Sequence, residues 1–388
     1  MTVALINPGV LRWARERARI GPERLAKSAS VTPERILRWE EGVEKPTFKQ
    51  ARDLANKLHI PFGYLFLSHP PVEKLPIPDL RRIGDHPIGE VSADLFDLIA
   101  DTLYKHDWYR EYLIEQGEGK LPFIRRFDLD ADPKEIAIDM TKTLSLTLSD
   151  RKEVRNSDQF YNLLVKRAEA AGIWVMRSGI VANNTHRSLE VQEFRGFAIC
   201  DDIAPLVFIN GKDAKAAQIF TLVHEMAHLW IGKSGISNMS LDRPVNANGE
   251  DIERICNSIA AEVLIPEESF LKMWQEGERD LEENASALAT FFRVSTVVVS
   301  RRALDLGLID WQSYINHYRK QEKRWHRGGE EQGGGNFFKT IPVRYGRRFT
   351  EAVIRSTSDQ SLLMRDAGRL LNITPSTIQT LAEHLGAA

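Results

Sequence analysis

Cysteine is nearly absent, with two residues, Cys200 and Cys256, in a chain of 388. Two thiols cannot build a disulfide framework, and neither sits in a paired metal-binding spacing. Long apolar runs are missing too: no stretch approaches the roughly 18 residues that span a bilayer. The opening residues pass into charged, helix-patterned sequence, unlike a signal peptide. The expectation is a cytoplasmic protein with no membrane partner. Nor does either charge sign dominate. The formal net charge of −2 carries no global nucleic-acid signature, so any basic surface must be local.

What is present is a short constellation suited to metal chemistry. Thr221 to Trp230 contains His224-Glu225-x-x-His228, an H-E-x-x-H pattern. On a helix, side chains four apart leave one face about 6 Å apart, close enough for two imidazoles to hold a single ion. The flanks predict that helix. Asp213 reads as the N-cap, Ala214 to Ile231 carries apolar residues at helical spacing without Pro or Gly, and Gly232 suits the C-terminal cap. With Zn²⁺ on His224 and His228, Glu225 sits beside the open coordination position. It is placed to take a proton from a water whose pKa zinc lowers to about 7.

A catalytic zinc needs a third protein ligand. The segment Glu250 to Leu264 reads as a second helix, stopped by Pro266. Glu253 and Asn257 lie four apart on one face, so Glu253 can reach the ion while Asn257 hydrogen-bonds a ligating histidine. Glu250, Asp251 and Glu262 compete for the ligand role. Taken together, His224 to His228 and the run Glu253-x-x-Cys256-Asn257-x-x-Ala260-Ala261-x-x-Leu264-x-Pro266 resemble the ImmA/IrrE-like zinc peptidases, over about residues 170 to 310. The resemblance implies that Glu253 is the third ligand. It also implies a narrow protein substrate such as a transcriptional repressor or an antitoxin.

The N-terminal stretch has a different character. From Asn7 to Leu67 the pattern is five short helices, with Leu11, Ala14, Leu25, Ala26, Ile36, Trp39, Leu54, Ala55 and Leu58 facing inward. Val31-Thr32 forms the turn between the second and third, the arrangement of a helix-turn-helix. Residues 1–67 hold twelve Lys/Arg against seven Asp/Glu. This is the local basic surface that the whole chain does not show. Thr32, Glu34, Arg35, Arg38 and Lys45 are the candidate contacts to bases and phosphates. The stretch Leu11 to Leu65 resembles the phage-repressor (XRE-like) DNA-binding domains. It departs from them in having Pro22 where a Gln often opens the second helix, and Ser30 in place of the turn glycine.

Elsewhere, Pro70, Pro71, Pro76, Pro78 and Pro87 mark an extended linker. Helices are predicted at about 90–116, 133–146 and 157–171. Short β-rich runs follow at Ile173 to Met176, Phe194 to Cys200 and Leu206 to Ile209, with a turn at 201–205. Such a sheet before the histidine helix offers an edge on which an extended substrate can lie. The chemistry also wants a second electrophile, for which His186, in an upstream loop, is a candidate. The spacing of Leu25, Val31 and Ile36 recurs in Leu288, Val294 and Val299, and in Ala367, Ile373 and Ile378. The latter two sets are expected to form helical bundle rather than DNA-reading units. Arg344, Arg347 and Arg348 precede two more predicted helices, 359–371 and 376–385.

The expected architecture is mainly α with a small β-sheet (α+β): a five-helix helix-turn-helix domain at 1–67, a Pro-rich linker at 68–89 and a helical region at 90–171. Then follow a zincin-like metallopeptidase core at 172–266, a helix-turn-helix-like region at 267–327, a Gly-rich hinge at 328–335 and a helical C-terminal region at 336–388. The expected function is a zinc endopeptidase fused to an operator-binding domain and able to form a homodimer. The alternative is a non-proteolytic transcriptional regulator, or an antitoxin-like DNA-binding protein, whose metal is structural or sensory.

Overall fold

The computed structural model describes residues 2–78, 82–83, 86–87, 91–237, 251–275, 279–327 and 336–386. The expected hinge at 328–335, and Glu250, lie outside them. The described chain carries eighteen α-helices and eight short strands, which makes it mainly α with a small β-sheet. It divides into two compact units, one of residues 1–76 and 89–101, the other of 77–88 and 102–388. Among the described residues no helix is long and apolar enough to cross a membrane.

In the first unit, helices Pro8–Arg17, Pro22–Ala29, Pro33–Glu40 and Phe48–Lys57 are followed by a 3₁₀ turn, Phe62–Phe66. The fifth expected helix is therefore only a 3₁₀ turn, entered from Pro61. Three of the four helices begin with proline, whose fixed φ suits the first helical position and whose missing N–H is not needed there. The fourth starts in a capping box between Thr47 and Gln50. The inward set named above is buried to 1% exposure or less. Glu40, buried among it, is neutralised by Arg15 at 2.7 Å.

The second unit is built on a four-stranded sheet. In spatial order the strands are Trp174–Ser178, Leu206–Asn210, Gly196–Ile199 and Gly235–Ser237. The first pair is parallel and the other two are antiparallel. Three strands coincide with the β-rich runs, while the fourth, Gly235–Ser237, was not anticipated because three residues carry no legible alternation. The helix Lys215–Ile231 packs on this sheet, with Ser157–Ala170, Pro133–Thr143 and Asp251–Leu264 around it in one apolar core. The C-terminal region holds four helices, Phe337–Tyr345, Arg347–Ser358, Met364–Leu370 and Pro375–Leu385, where two were expected. Pro342 inside the first and Gly346 at its end hid the extra pair.

The recurrent six-and-five spacing has a structural basis. Each set turns through a non-glycine residue of positive φ: Ser30 at 55°, Arg293 at 60° and Asn372 at 50°. In each, the next residue donates its N–H five residues back: Val31 to Ala26, Val294 to Ala289 and Ile373 to Gly368. The helices that follow differ in surroundings. Thr296–Asp305 is buried at Val297, Val298, Val299, Ser300, Arg302 and Ala303, so no face of it is free for a groove.

Candidate metal centre

The helix Lys215–Ile231 is buried almost throughout, and its C-terminal carbonyls are individually satisfied. Arg125 and Phe127 donate their backbone N–H groups to the carbonyls of Leu229 and Trp230, and Lys233 donates to that of His228. Gly232 ends the helix at φ +78°, and a Cβ there would come 2.3 Å from Arg125 Cγ, so the position requires glycine on both counts. At the other end the expected Asp213 cap is not formed. Ala214 occupies the N-cap position, and the Asp213 carboxylate pairs with Arg195 at 2.5 Å.

His224 and His228, one turn apart and fully buried, bring their Nε2 atoms to 3.1 Å. From Asp251–Leu264, Glu253 reaches across with Oε2 at 3.2 Å from His224 Nε2 and Oε1 at 3.3 Å from His228 Nε2. A tetrahedral zinc with bonds of about 2.0–2.2 Å holds its ligand atoms about 3.3–3.6 Å apart. The three side chains therefore converge at about that scale, with one ligand atom from each lying within 4.8 Å of the others. Two nitrogens and a carboxylate oxygen are also a donor set that zinc accepts. Asn257 Oδ1 lies 3.0 Å from His224 Nδ1. With the imidazole neutral, Nδ1–H donates to that oxygen and the lone pair of Nε2 faces Glu253.

The electrostatics follow from burial. Burial lowers the pKa of His224, favouring the neutral ring that a metal needs. Burial opposes ionisation of Glu253, but His224 and His228 outweigh it and hold its carboxyl well below the usual range. Glu225, without exposure, is pushed up to about 8 by burial. The charge of His228 works against that rise and Glu253 adds to it. Its Oε2 has no hydrogen-bond partner among the described residues, whereas Oε1 accepts from the hydroxyl of Ser237.

Ser237 and Gly196 are the residues that the sequence reading missed. Ser237 ends the outer strand and pairs with Gly196 in register. A Cβ on Gly196 would lie 2.7 Å from Glu225 Oε1, so the glycine makes the room in which the carboxylate sits. Gly196 follows Arg195 and opens the strand, where a glycine is ordinary, so the sequence carried no clear signal for this close approach. Cys256 lies against His228 from the turn that also carries Glu253 and Asn257.

The other candidates lie elsewhere. Asp251 is exposed beside Arg254, and Glu262 pairs with Arg302 and accepts the N–H of Glu267. His186 is exposed on the strand Asn184–Ser188 rather than in a loop. Arg344 donates to Asn183, Arg347 pairs with Glu351, and Arg348 donates to the Glu169 carbonyl, so this basic cluster is engaged within its own unit. In the first unit Thr32, Glu34, Arg35, Arg38 and Lys45 are all exposed around the helix Pro33–Glu40. Arg35 pairs with Glu44 at 2.6 Å.

Known families match two parts of the chain. Residues 345–384 match a family described only as a domain of unknown function. No curated protein matches the chain. The stretch that contains the whole histidine and glutamate cluster, residues 168–304, matches a peptidase family described as the IrrE N-terminal-like domain, and this part of the chain is peptidase-like.

Proposed function

We propose that the protein is a zinc-dependent endopeptidase with His224, His228 and Glu253 as metal ligands, Asn257 as the residue that orients His224, and Glu225 as general base. The observation that carries this reading is the spacing of the three ligand atoms, with a carboxylate of the same helix buried beside them. Bound there, zinc supplies a Lewis acid that polarises a peptide carbonyl and acidifies water. Glu225 takes the proton of the attacking water on Oε2, the oxygen left free by Ser237, and passes it to the leaving amine. A purely structural site has no use for that base and closes four ligands round the ion.

The first unit supports a second element of the proposal, a DNA-binding module that brings the peptidase to an operator. The support is the exposed set Thr32, Glu34, Arg35, Arg38 and Lys45 on one helix and its two flanks, in a stretch with twelve Lys/Arg against seven Asp/Glu. The substrate class that suits such a fusion is a repressor or an antitoxin.

Glu225→Gln tests the chemistry. The variant should retain one equivalent of zinc by elemental analysis and lose about 10³-fold of cleavage of the co-expressed product of the neighbouring reading frame, followed by mass spectrometry. If native protein and variant both leave that product intact while both bind operator DNA, the protein is a regulator and not a peptidase. Arg38→Ala should weaken specific DNA binding by about 1–3 kcal/mol in gel-shift titrations; an unchanged shift removes the helix Pro33–Glu40 from the interface.

A further inference from the structure

The sheet has two outer strands, and their free edges are covered differently. Beside Trp174–Ser178 lies the helix Phe337–Tyr345, with the Trp174 indole N–H donating to the Tyr345 carbonyl at 2.6 Å. The strand Gly235–Ser237 carries Ser237, which holds the Glu225 carboxylate, and is the edge nearest the chemistry. Its backbone groups alternate in direction. Ser237 turns its carbonyl inward to accept from Arg195 N–H at 3.1 Å, so Ile236 turns its N–H outward.

That outward N–H is already taken. It donates to the carbonyl of Pro78 at 3.0 Å, and Ile77, the preceding residue, is buried to 7% exposure. Ile236 and Ser237 have no exposed surface. A short piece of the chain's own Pro-rich segment thus lies where an extended peptide would add itself to the sheet. Its hold is incomplete by construction. Proline has no N–H, so Pro78 accepts from the strand but returns no hydrogen bond to the carbonyl of Ile236. A substrate segment with an ordinary residue at that position can make both bonds.

We propose that Ile77–Pro78 is a resident occupant of the substrate-binding edge, a built-in competitor that an extended protein segment must displace to reach Glu225. The inference deepens the endopeptidase reading and rests on it for the role of the edge strand. Ile77 anchors the occupant through its buried side chain, and Pro78 limits its grip. Apparent affinity for substrate is reduced by the fraction of molecules in which the edge is occupied.

The test uses the full chain and the variant Ile77→Asp, which removes the apolar anchor without touching the metal site. Binding of fluorescein-labelled β-casein, a loosely structured protein, is measured by anisotropy on metal-free protein, so that cleavage plays no part. Amide hydrogen exchange is followed at Ile236, with Arg195 N–H as the control that the outer strand remains on the sheet. The variant should bind the casein about tenfold more tightly and exchange the Ile236 amide about tenfold faster, with Arg195 unchanged. Ile77→Ala should move both readouts in the same direction by less, and it decides the matter if the aspartate variant does not fold. Equal casein affinity and equal Ile236 exchange in a folded variant would overturn the proposal. If both readouts move as expected yet the zinc-loaded chain cleaves nothing, the occupied edge stands and the peptidase reading falls. If the loaded chain cleaves but neither readout moves, the outcome is the reverse.

Discussion

At the scale of single residues, the geometry turns on what holds Glu225. One carboxylate oxygen accepts from Ser237, and the other is free to work. Replacing Ser237 with alanine leaves all three metal ligands in place but frees the base to rotate. The expected result is a drop in kcat of about tenfold with zinc content unchanged, the size of effect seen when a supporting partner of a catalytic group is lost. Restored turnover in Ser237→Thr would confirm that the hydroxyl is what matters. The histidine pair with Glu225, and the facing of Glu253 with Asn257, were legible in the sequence because each relation is local to one helix, where separations of one turn define a face. That Glu253 rather than Glu250, Asp251 or Glu262 meets the histidines crosses two helices, and spacing left it open; only the family resemblance pointed to it. Ser237 and Gly196 were not legible. Their contact with Glu225 arises from the pairing of two strands separated by the whole histidine helix, and no spacing rule spans that distance.

At the scale of elements, helix ends are held together by one buried cation. Arg151, exposed to 2%, donates to the carbonyl of Phe292 at 2.6 Å and of Val263 at 2.9 Å, and its guanidinium lies over the rings of Phe160 and Phe292. It thereby satisfies terminal carbonyls of the helices Asp251–Leu264 and Leu281–Phe292, the former carrying Glu253. Burial lowers its pKa to about 10, still far above neutrality, so it remains charged at working pH. Arg151→Ala should destabilise the protein by about 3 kcal/mol, read as a shift in denaturant midpoint, because two buried carbonyls lose a charged donor. Helix positions were readable from apolar period, while caps and breaks were harder. Asp213 has the chemistry of an N-cap but faces Arg195, which lies on another segment and binds its carboxylate first. The helix Phe337–Tyr345 was missed because an interior Pro342 argues locally against a helix that packing against Trp174–Ser178 sustains.

At the scale of the molecule, a buried imidazole away from the metal centre contributes to pH sensitivity. Burial lowers the pKa of His106 against the opposing charge of Asp201, and its Nε2 lies 2.9 Å from the carbonyl of Ala204. A group whose folded pKa lies below its unfolded value contributes stability above the unfolded value, near 6.5, and loses it as pH falls through the folded one. The melting temperature of the native chain relative to that of His106→Gln should therefore fall between pH 7.5 and 5.5, whatever slope the two share from Glu225, whose raised folded pKa acts in the opposite sense. An identical slope in the two proteins would remove His106 as a contributor. The fold class was legible at this scale because helical periodicity gives way to short β-rich apolar runs over the stretch that becomes the sheet. The order of the strands was not, since the outer one, Gly235–Ser237, follows the histidine helix and owes its place to pairing with Gly196–Ile199.

Both native thiols are sealed inside the second unit, and burial raises the pKa of each, which leaves neither as a ready nucleophile. A maleimide dye or spin probe added to the folded native chain will consequently find no target, and a cysteine engineered at any exposed position becomes the sole attachment point for single-site labelling.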